Sequence, residues 1–150
     1  MKVMITGGLG FVGTQLSIRL LKGGNQVTLV DRSPHPMSYT PPDVRYVAAD
    51  TTMPGDWQDE VAVQDAVINL AGASIFSRWT AQTKRIMYDS RILTTRNVVD
   101  AMPANKGALL CSTSAVGYYG LRGDEELTEE DGTARLAHSL LTGRRRPQER

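Results

Sequence analysis

Short apolar segments alternate along the chain with longer segments in which apolar residues recur every three or four positions. The short segments predict five strands: Val3–Thr6, Val27–Asp31, Val44–Ala49, Ala66–Ala71 and Ala108–Ser112. The second of them is apolar almost throughout, as is typical of a strand buried on both sides. Strands that alternate with helices favour a parallel sheet covered by helices on both faces. We therefore predict an α/β fold built on a doubly wound parallel sheet.

Two of the longer segments have helical periodicity. The first runs from Phe11 to about Lys22 and stops at Gly23-Gly24. Its inward side is predicted to consist of Val12, Leu16, Leu20 and Leu21. The second begins after a Thr80 cap and extends to about Met102. Its inward side is predicted to consist of Ile86, Ile92 or Leu93, and Val99. Residues 32–43 contain four prolines and are predicted to form a loop.

Spaced glycines join the first strand to the first helix. The run from Thr6 to Gly13 reads as Gly8-x-Gly10-x-x-Gly13 or as Thr6-Gly7-x-x-Gly10-x-x-Gly13, and Asp31 ends the second strand. Such a turn leaves backbone N–H groups and a helix N-terminus free to bind an anion. In a Rossmann unit the glycines form the tight turn, admit the pyrophosphate and allow close helix packing. The pattern predicts dinucleotide binding, with an ordinary strand-to-helix turn as the alternative.

Bulk composition is that of an ordinary globular chain. The chain has 150 residues, of which 41% are hydrophobic and 22% are charged, and a formal net charge of +1. A length of 150 residues corresponds to one domain. A charge so near zero gives no reason to expect nucleic acid, a membrane surface or an acidic substrate as a partner. No apolar run approaches the length of a membrane span, and no signal-peptide pattern precedes Thr6.

Cysteine and histidine usage narrows the chemistry further. The single cysteine, Cys111, cannot form an internal disulfide, which favours a reducing compartment and a cytoplasmic location. It lies within an apolar strand, so we expect a small buried core residue rather than a reactive thiol. His35 and His138 lack the spacing of metal ligands, and no metal site is predicted.

The end of the chain is less regular. It contains acidic clusters at 124–126 and 129–131 and a basic run at 144–146, which is typical of a solvated end. Ala137, Leu140 and Leu141 are consistent with one helix that ends at Gly143. We predict a dinucleotide-binding domain over residues 1–131 and an irregular or helical tail over residues 132–150.

Several motifs in the right order resemble the extended short-chain dehydrogenase/reductase superfamily. They are Thr6-Gly7-x-x-Gly10-x-x-Gly13, Asn69-Leu70-Ala71-Gly72 and Ser112-x-Ser114. Three longer stretches resemble its atypical, sugar-nucleotide-epimerase-like branch. They are Val67–Gly72, then Arg78-Trp79 followed by Asp89–Asn97, and finally Ser114–Gly120. The resemblance implies an NAD(P)-dependent epimerase or dehydratase that acts on a nucleotide sugar or a related small molecule.

The resemblance also implies that relatives are about twice as long and that their C-terminal half supplies most of the substrate site. Residues 132–150 do not resemble the continuation expected there. We expect a truncated or frame-shifted reading of a longer protein, with a short module that only binds the dinucleotide as the alternative.

The expected cofactor is NAD or NADP. Asp31 can accept hydrogen bonds from both adenosine ribose hydroxyls, which favours NAD, whereas Arg32 is suited to a 2′-phosphate. Asp50 resembles the position that contacts adenine, and Arg91 is a signature of the branch. The predicted cofactor-binding residues are Gly7, Gly10, Phe11, Val12, Gly13, Asp31, Arg32, Asp50, Leu70, Ala71, Gly72 and Arg91.

The resemblance assigns Ser114 as the catalytic residue that hydrogen-bonds the reacting hydroxyl or carbonyl. The usual mechanism also needs a tyrosine acid/base with a lysine four residues later, and no tyrosine of this chain has one. Tyr118 has Arg122 at that spacing, but arginine cannot be tuned as lysine can. Whether the chain is an enzyme by itself stays open at this point, and a binding module without turnover is the alternative.

Overall fold

The structure is a computed structural model that describes residues 1–104, 107–114, 118–120 and 122–131. Strands and helices alternate from the N-terminus. The elements are β1 (Lys2–Thr6), α1 (Phe11–Lys22), β2 (Gln26–Asp31), β3 (Arg45–Ala48), α2 (Trp57–Ala62), β4 (Ala66–Asn69), α3 (Ala81–Ala101) and β5 (Leu109–Ser112).

The five strands form one parallel sheet in the order β3-β2-β1-β4-β5. The chain adds strands outward on one side of β1 and then crosses over to add β4 and β5 on the other side. In register, Thr6 pairs with Val30 of β2 and with Asn69 of β4. This order confirms the predicted doubly wound α/β fold, and it places a crossover between β1 and β4.

Both faces of the sheet carry a hydrophobic core because successive strand residues point to opposite sides. On one face Met4, Val30 and Val67 pack with Trp57 and Val61 of α2 and with Val98 of α3. On the other face Ile5, Val27 and Leu29 are covered by half-buried leucines of α1, namely Leu16, Leu20 and Leu21. Burying aliphatic side chains of this size contributes about 1.5–3 kcal/mol each relative to exposure.

The largest differences from the predicted elements are an additional helix and a shorter fourth strand; the ends of the other strands differ from the prediction by at most one residue. The helix α2 was not predicted, because its six residues complete fewer than two turns and show no readable period. The predicted fourth strand extended to Ala71, whereas β4 ends at Asn69. There the Leu70 N–H still donates to the Thr6 carbonyl at 3.1 Å, but the Ala71 N–H donates to the Thr6 hydroxyl at 3.4 Å. The ladder therefore ends in a side-chain bond.

The predicted inward sides of the helices are partly wrong. Val12 of α1 and Ile86 and Val99 of α3 are each about half exposed. The fully buried helical residues are instead Gly13 and Ser17 in α1 and Thr94 and Val98 in α3. Three of these four residues are small or carry a hydroxyl group, which lets the helix pack closely or bond a polar partner, and the periodicity of apolar residues cannot reveal this.

The expectation that Cys111 is a core residue is also wrong, because the thiol-bearing residue is exposed. It lies on β5, one of the two edge strands of the described sheet. On that strand Leu110 packs against the core, whereas Leu109 on the opposite face is 63% exposed. An apolar strand sequence is therefore not sufficient evidence of burial on both faces.

The chain divides into two compact units, Met1–Thr113 and Ser114–Arg150. Within the second unit, the rings of Tyr118 and Tyr119 meet edge to face with centroids 5.2 Å apart. Arg122 lies 3.6 Å from Glu125 and 3.7 Å from Asp131. Bonds from the Thr128 N–H and hydroxyl lower the pKa of Asp131.

The predicted irregular or helical tail over residues 132–150 lies outside the described residues, and with it two further predictions. They are the helix with Ala137, Leu140 and Leu141 that ends at Gly143, and the basic run at 144–146. Among the residues that the structure describes, no helix is both long and apolar enough to cross a bilayer.

Candidate functional site

A cleft of about 170 Å³ opens at the carboxyl ends of the central strands, where the strand order reverses. Ligands of open α/β sheets bind at this kind of crossover. The cleft is lined by Gly7, Gly10, Val30, Asp31, Arg32, Ala49, Asp50, Thr51, Thr52, Leu70, Ala71, Gly72, Ala73, Ser90 and Thr94.

Eight of the twelve residues predicted for cofactor binding line this cleft: Gly7, Gly10, Asp31, Arg32, Asp50, Leu70, Ala71 and Gly72. The other four, Phe11, Val12, Gly13 and Arg91, are not among its lining residues. The structure therefore brings together residues that are far apart in sequence, as the predicted location requires.

Seven lining residues were not predicted, although most have a readable signal. Val30, Ala49, Thr51, Thr52 and Ala73 are sequence neighbours of predicted positions. Ser90 and Thr94 are separated by one helical turn on α3, so both hydroxyls lie on the same side of that helix. Two hydroxyl-bearing residues four positions apart on a helix were the sequence signal that could have indicated a polar side of α3 at the cleft.

The glycine loop is packed too tightly for side chains. Gly7 adopts φ +68°, and its N–H donates to the Val30 carbonyl at 2.9 Å. A Cβ on Gly7 would lie 2.9 Å from the backbone of Ala71. A Cβ on Gly13 would lie 2.7 Å from the Gly8 carbonyl oxygen. The loop therefore needs glycine both for its conformation and for its contact with the segment after β4.

The N-terminus of α1 faces this loop without side-chain caps. Gly10 is the N-cap residue, it makes no side-chain capping bond, and the first turn contains no acidic residue. The first backbone N–H groups of a helix have no partner within the helix. Together with the partial positive charge of the helix end, they favour a phosphate group. The loop thus fits the diphosphate of a dinucleotide.

The carboxylate of Asp31 links the end of β2 to the glycine loop. Its Oδ2 accepts the Leu9 N–H at 3.1 Å and its Oδ1 accepts the Arg32 N–H at 2.8 Å. A carboxylate has about four acceptor positions, so two remain for hydroxyl groups of a ligand. The geometry suits a ribose diol.

A second acid, Asp50, lies after β3 on the same cleft. Its Oδ1 accepts both the Thr52 hydroxyl at 2.7 Å and the Thr52 N–H at 3.0 Å. The hydroxyl bond lowers the pKa of Asp50 below its usual range, and the nearby charge of Arg32 acts in the same direction. The cleft therefore combines a firmly ionised carboxylate with a guanidinium group.

Buried hydroxyl groups fix the wall of the cleft formed by α3. Thr51 and Thr94 share a hydrogen bond of 2.9 Å, and the Asn97 side chain donates to the Thr51 carbonyl at 2.9 Å. The Gln58 side chain in turn donates to the Asn97 carbonyl at 2.9 Å. These bonds connect the loop after β3 with α2 and α3.

The predicted catalytic residue, Ser114, is an exposed residue at the start of the second unit. Its role stays a prediction.

The model of the "NAD dependent epimerase/dehydratase family" matches residues 3–139. An epimerase family protein of Staphylococcus haemolyticus is 36% identical over 118 residues, which are 77% of this chain and 38% of that protein. An epimerase family protein of Bacillus subtilis is 34% identical over 138 residues, which are 89% of this chain and 44% of that protein. The chain thus spans less than half the length of these relatives.

Solved structures with similar folds include sugar-nucleotide epimerases. A UDP-glucose 4-epimerase from Bifidobacterium longum, in complex with NAD+ and UDP, has a TM-score of 0.74 at 21% identity; the similarity covers 95% of this chain and 48% of that chain. A UDP-glucose 4-epimerase from Thermus thermophilus, in complex with NAD, has a TM-score of 0.71 at 19% identity, with 89% and 44% covered. At such identities the similarity establishes a shared fold.

Proposed function

Because the chain belongs to the NAD dependent epimerase/dehydratase family, we propose that residues 1–131 form a Rossmann domain that binds NAD(P). The observation that carries this proposal is the convergence of the glycine loop, Asp31 and the segment after β4 on one cleft at the crossover.

Each part of the cleft has a separate task in this proposal. The N–H groups at the start of α1 bind the diphosphate, and the Asp31 carboxylate binds the adenosine ribose hydroxyls. Asp50 contacts the adenine, and the backbone of Leu70, Ala71 and Gly72 borders the dinucleotide. When bound, the nicotinamide ring supplies a hydride acceptor or donor.

NAD is the favoured cofactor in the proposal. The Asp31 carboxylate disfavours a 2′-phosphate and holds a free ribose diol. Arg32 is the residue that would work in the other direction, because a guanidinium matches the geometry of a phosphate. The fold neighbours from Bifidobacterium longum and Thermus thermophilus were each solved with the non-phosphorylated dinucleotide.

The proposed whole-protein activity is epimerase- or dehydratase-like chemistry on a nucleotide sugar or a related hydroxyl or carbonyl compound. Ser114 is proposed to hydrogen-bond the reacting oxygen of that substrate. Since no tyrosine of the chain has a lysine four residues later, the acid/base of the usual mechanism lacks its partner. We therefore expect the 150-residue chain alone to show almost no turnover.

That same missing pair favours a second candidate, a dinucleotide-binding module without catalysis. In this case the cleft binds NAD(P) while no substrate reacts. A cytoplasmic location belongs to both candidates, since a chain with one cysteine gains no internal disulfide from an oxidising compartment.

Titration calorimetry with NAD and NADP on the wild-type chain and on Asp31→Ser tests the binding proposal. We expect the wild type to bind NAD more tightly than NADP, and Asp31→Ser to lose affinity for NAD specifically. Tighter wild-type binding of NADP would reverse the assignment of Asp31 and Arg32. No binding of either dinucleotide would overturn the proposal.

Hydride transfer with nucleotide sugars tests whether this chain is catalytic by itself. Absence of turnover in a chain that binds NAD supports the binding module or an incomplete enzyme. Turnover that disappears in Ser114→Ala would establish catalysis by this chain.

A further inference from the structure

Two consecutive residues of α3 bind both polar groups of one residue on the rim of the cleft. The Ala73 N–H donates to Ser90 Oγ at 2.9 Å, and Arg91 Nη2 donates to the Ala73 carbonyl at 3.2 Å. Ala73 therefore has its backbone donor and its backbone acceptor engaged by the same helix. We call the contact of Ser90 and Arg91 with Ala73 the rim clamp.

Both side chains of the rim clamp are themselves fixed to the helix. Ser90 Oγ donates to the Met87 carbonyl at 2.9 Å, and Arg91 Nη1 donates to the same carbonyl at 3.0 Å. Because a serine hydroxyl has one proton, donation to Met87 leaves its lone pairs to accept from Ala73. The shared carbonyl thus sets the orientation of both side chains before any ligand binds.

The rim clamp also explains the residue at position 72. A Cβ on Gly72 would lie 3.2 Å from Arg91 Cζ and 3.3 Å from Arg91 Nη2, so the guanidinium occupies the space a side chain would need. Gly72 is absent from the glycines with positive φ, which are Gly7, Gly24, Gly107, Gly120 and Gly123. Gly72 is therefore not needed for the backbone conformation; its missing side chain leaves room for the Arg91 guanidinium, which a Cβ at position 72 would displace by a few tenths of an ångström.

The rim clamp acts on the cleft without Arg91 entering it. Gly72, Ala73 and Ser90 line the cleft, and Arg91 does not. We propose that Ser90 and Arg91 are positioning residues that hold the Gly72–Ala73 backbone in the conformation that borders the bound dinucleotide. The sequence suggested Arg91 as a direct contact of the cofactor. In this proposal it acts indirectly, by holding Ala73. The inference rests on the proposed dinucleotide binding.

A first test needs no ligand. In the wild type the Ala73 amide is expected to exchange slowly with deuterium, because its proton is bonded to Ser90 Oγ. Ser90→Ala should accelerate exchange at Ala73 at least tenfold, and Ser90→Thr, which keeps the hydroxyl, should restore slow exchange. Equal exchange rates in the wild type and Ser90→Ala would overturn the inference.

A second test measures the affinity for NAD by calorimetry. Loss of one such hydrogen bond is expected to weaken binding by about three- to tenfold in Ser90→Ala and Arg91→Ala. Arg91→Lys should fall in the same range, since an ammonium lacks the planar fork that bonds Ala73 and Met87 together. Arg85→Ala is the matched control: it removes an arginine of the same helix that pairs with Asp89 at 2.6 Å and does not touch the rim. It should leave the affinity unchanged.

A double-mutant cycle then distinguishes positioning from general stability. The loss of NAD affinity caused by Gly72→Ala should be smaller in the Arg91→Ala background than in the wild type, because the competing guanidinium is gone. Equal losses in both backgrounds would overturn the inference, as would wild-type affinity in Arg91→Ala. Unfolding free energies of every variant are measured in parallel, because a substitution that only destabilises the fold lowers them without changing affinity in the folded protein.

If the wild type binds neither NAD nor NADP, the proposed function fails as well. If the wild type binds and the variants bind equally well, only the inference about the rim clamp fails.

Discussion

The hydroxyl of Thr6 donates to Oδ1 of Asn69 at 2.6 Å across the crossover between β1 and β4. Both residues are buried, and the amide of Asn69 also donates to the Thr95 hydroxyl on α3 at 3.0 Å. The Thr6 hydroxyl also accepts the Ala71 N–H at 3.4 Å, two residues before Ala73 of the rim clamp. This pair therefore joins β1, β4 and α3 at the carboxyl ends of the two strands.

The two single substitutions in this pair should together lower the free energy of unfolding by more than the double substitution does. Asn69→Leu leaves the buried Thr6 hydroxyl without its acceptor, which costs about 1–3 kcal/mol of unfolding free energy. Thr6→Val alone leaves the side-chain carbonyl oxygen of Asn69 without the Thr6 donor, and the free energy of unfolding should fall by a similar amount. The double variant should lose about 0.5–2 kcal/mol less than the sum of the single variants.

Urea unfolding of the four proteins measures that coupling. Thr28→Val is the control, since Thr28 is a buried threonine of β2, two strands away from Asn69 in the sheet order. It should show no coupling to Asn69→Leu. Strict additivity of Thr6→Val and Asn69→Leu would contradict the structural role given to the pair.

Gly13→Ala should destabilise the protein even though alanine is the better helix former. The substitution gains about 1 kcal/mol of helix propensity. It also places a Cβ 2.7 Å from the Gly8 carbonyl oxygen, and forcing such a contact apart costs about 1–3 kcal/mol or more. We expect the midpoint of thermal unfolding to fall. Gly55→Ala is the matched control, because its Cβ would meet only a Trp57 ring atom at 3.6 Å. A rise in the midpoint for Gly13→Ala would show that the contact relaxes.

At acidic pH the contribution of Asp50 to the free energy of unfolding should disappear. Its pKa is lowered in the folded protein by the bonds from Thr52, so the ionised form is favoured by folding. The stabilisation is present above the unfolded pKa of about 3.9 and disappears as the pH falls through the lower folded pKa. Asp50→Asn should thus be destabilising at neutral pH, and the difference from wild type should shrink below about pH 4. The same substitution in a Thr52→Val background should cost less, and a pH-independent difference would contradict this origin.

Arg32→Ala tests which residue reads the 2′ position of the proposed cofactor. Loss of a charge-assisted bond to phosphate should weaken NADP binding by about tenfold or more, while NAD binding changes little. Competitive titration with both dinucleotides gives the ratio of the two affinities. Arg19→Ala, in the last turn of α1, serves as the charge control. An equal loss for both dinucleotides in Arg32→Ala would show that Arg32 does not discriminate between them.

The sequence was most informative where one residue type alone satisfies the local geometry. Gly7 needs positive φ and Gly13 needs the absence of a Cβ, so the glycine spacing predicted the turn directly. The start of α3 at Ala81 was equally readable, because Thr80 and Thr83 form a reciprocal capping box there. These features are decided within a few residues of chain.

Sequence was least informative where a partner lies far along the chain. Thr94 faces inward because Thr51 offers it a hydrogen bond across 43 positions, and no local pattern encodes that pairing. From the sequence, Arg91 is expected to lie on the surface or to bind the cofactor, whereas in the structure it donates to the Ala73 carbonyl. Cys111 reads as a core residue until β5 is seen at the edge of the sheet. Tertiary contacts decide each of these cases.

Titration of the isotope-labelled chain with NAD, followed by amide chemical shifts, tests the central proposal most directly. The account predicts saturable shifts that are largest for Gly7, Gly10, Asp31, Asp50 and the segment 70–73, and small for residues such as Val63 and Gly24 away from the cleft. Saturable shifts concentrated elsewhere on the molecule, or no shifts with either NAD or NADP, would contradict the assignment of this cleft as a dinucleotide site.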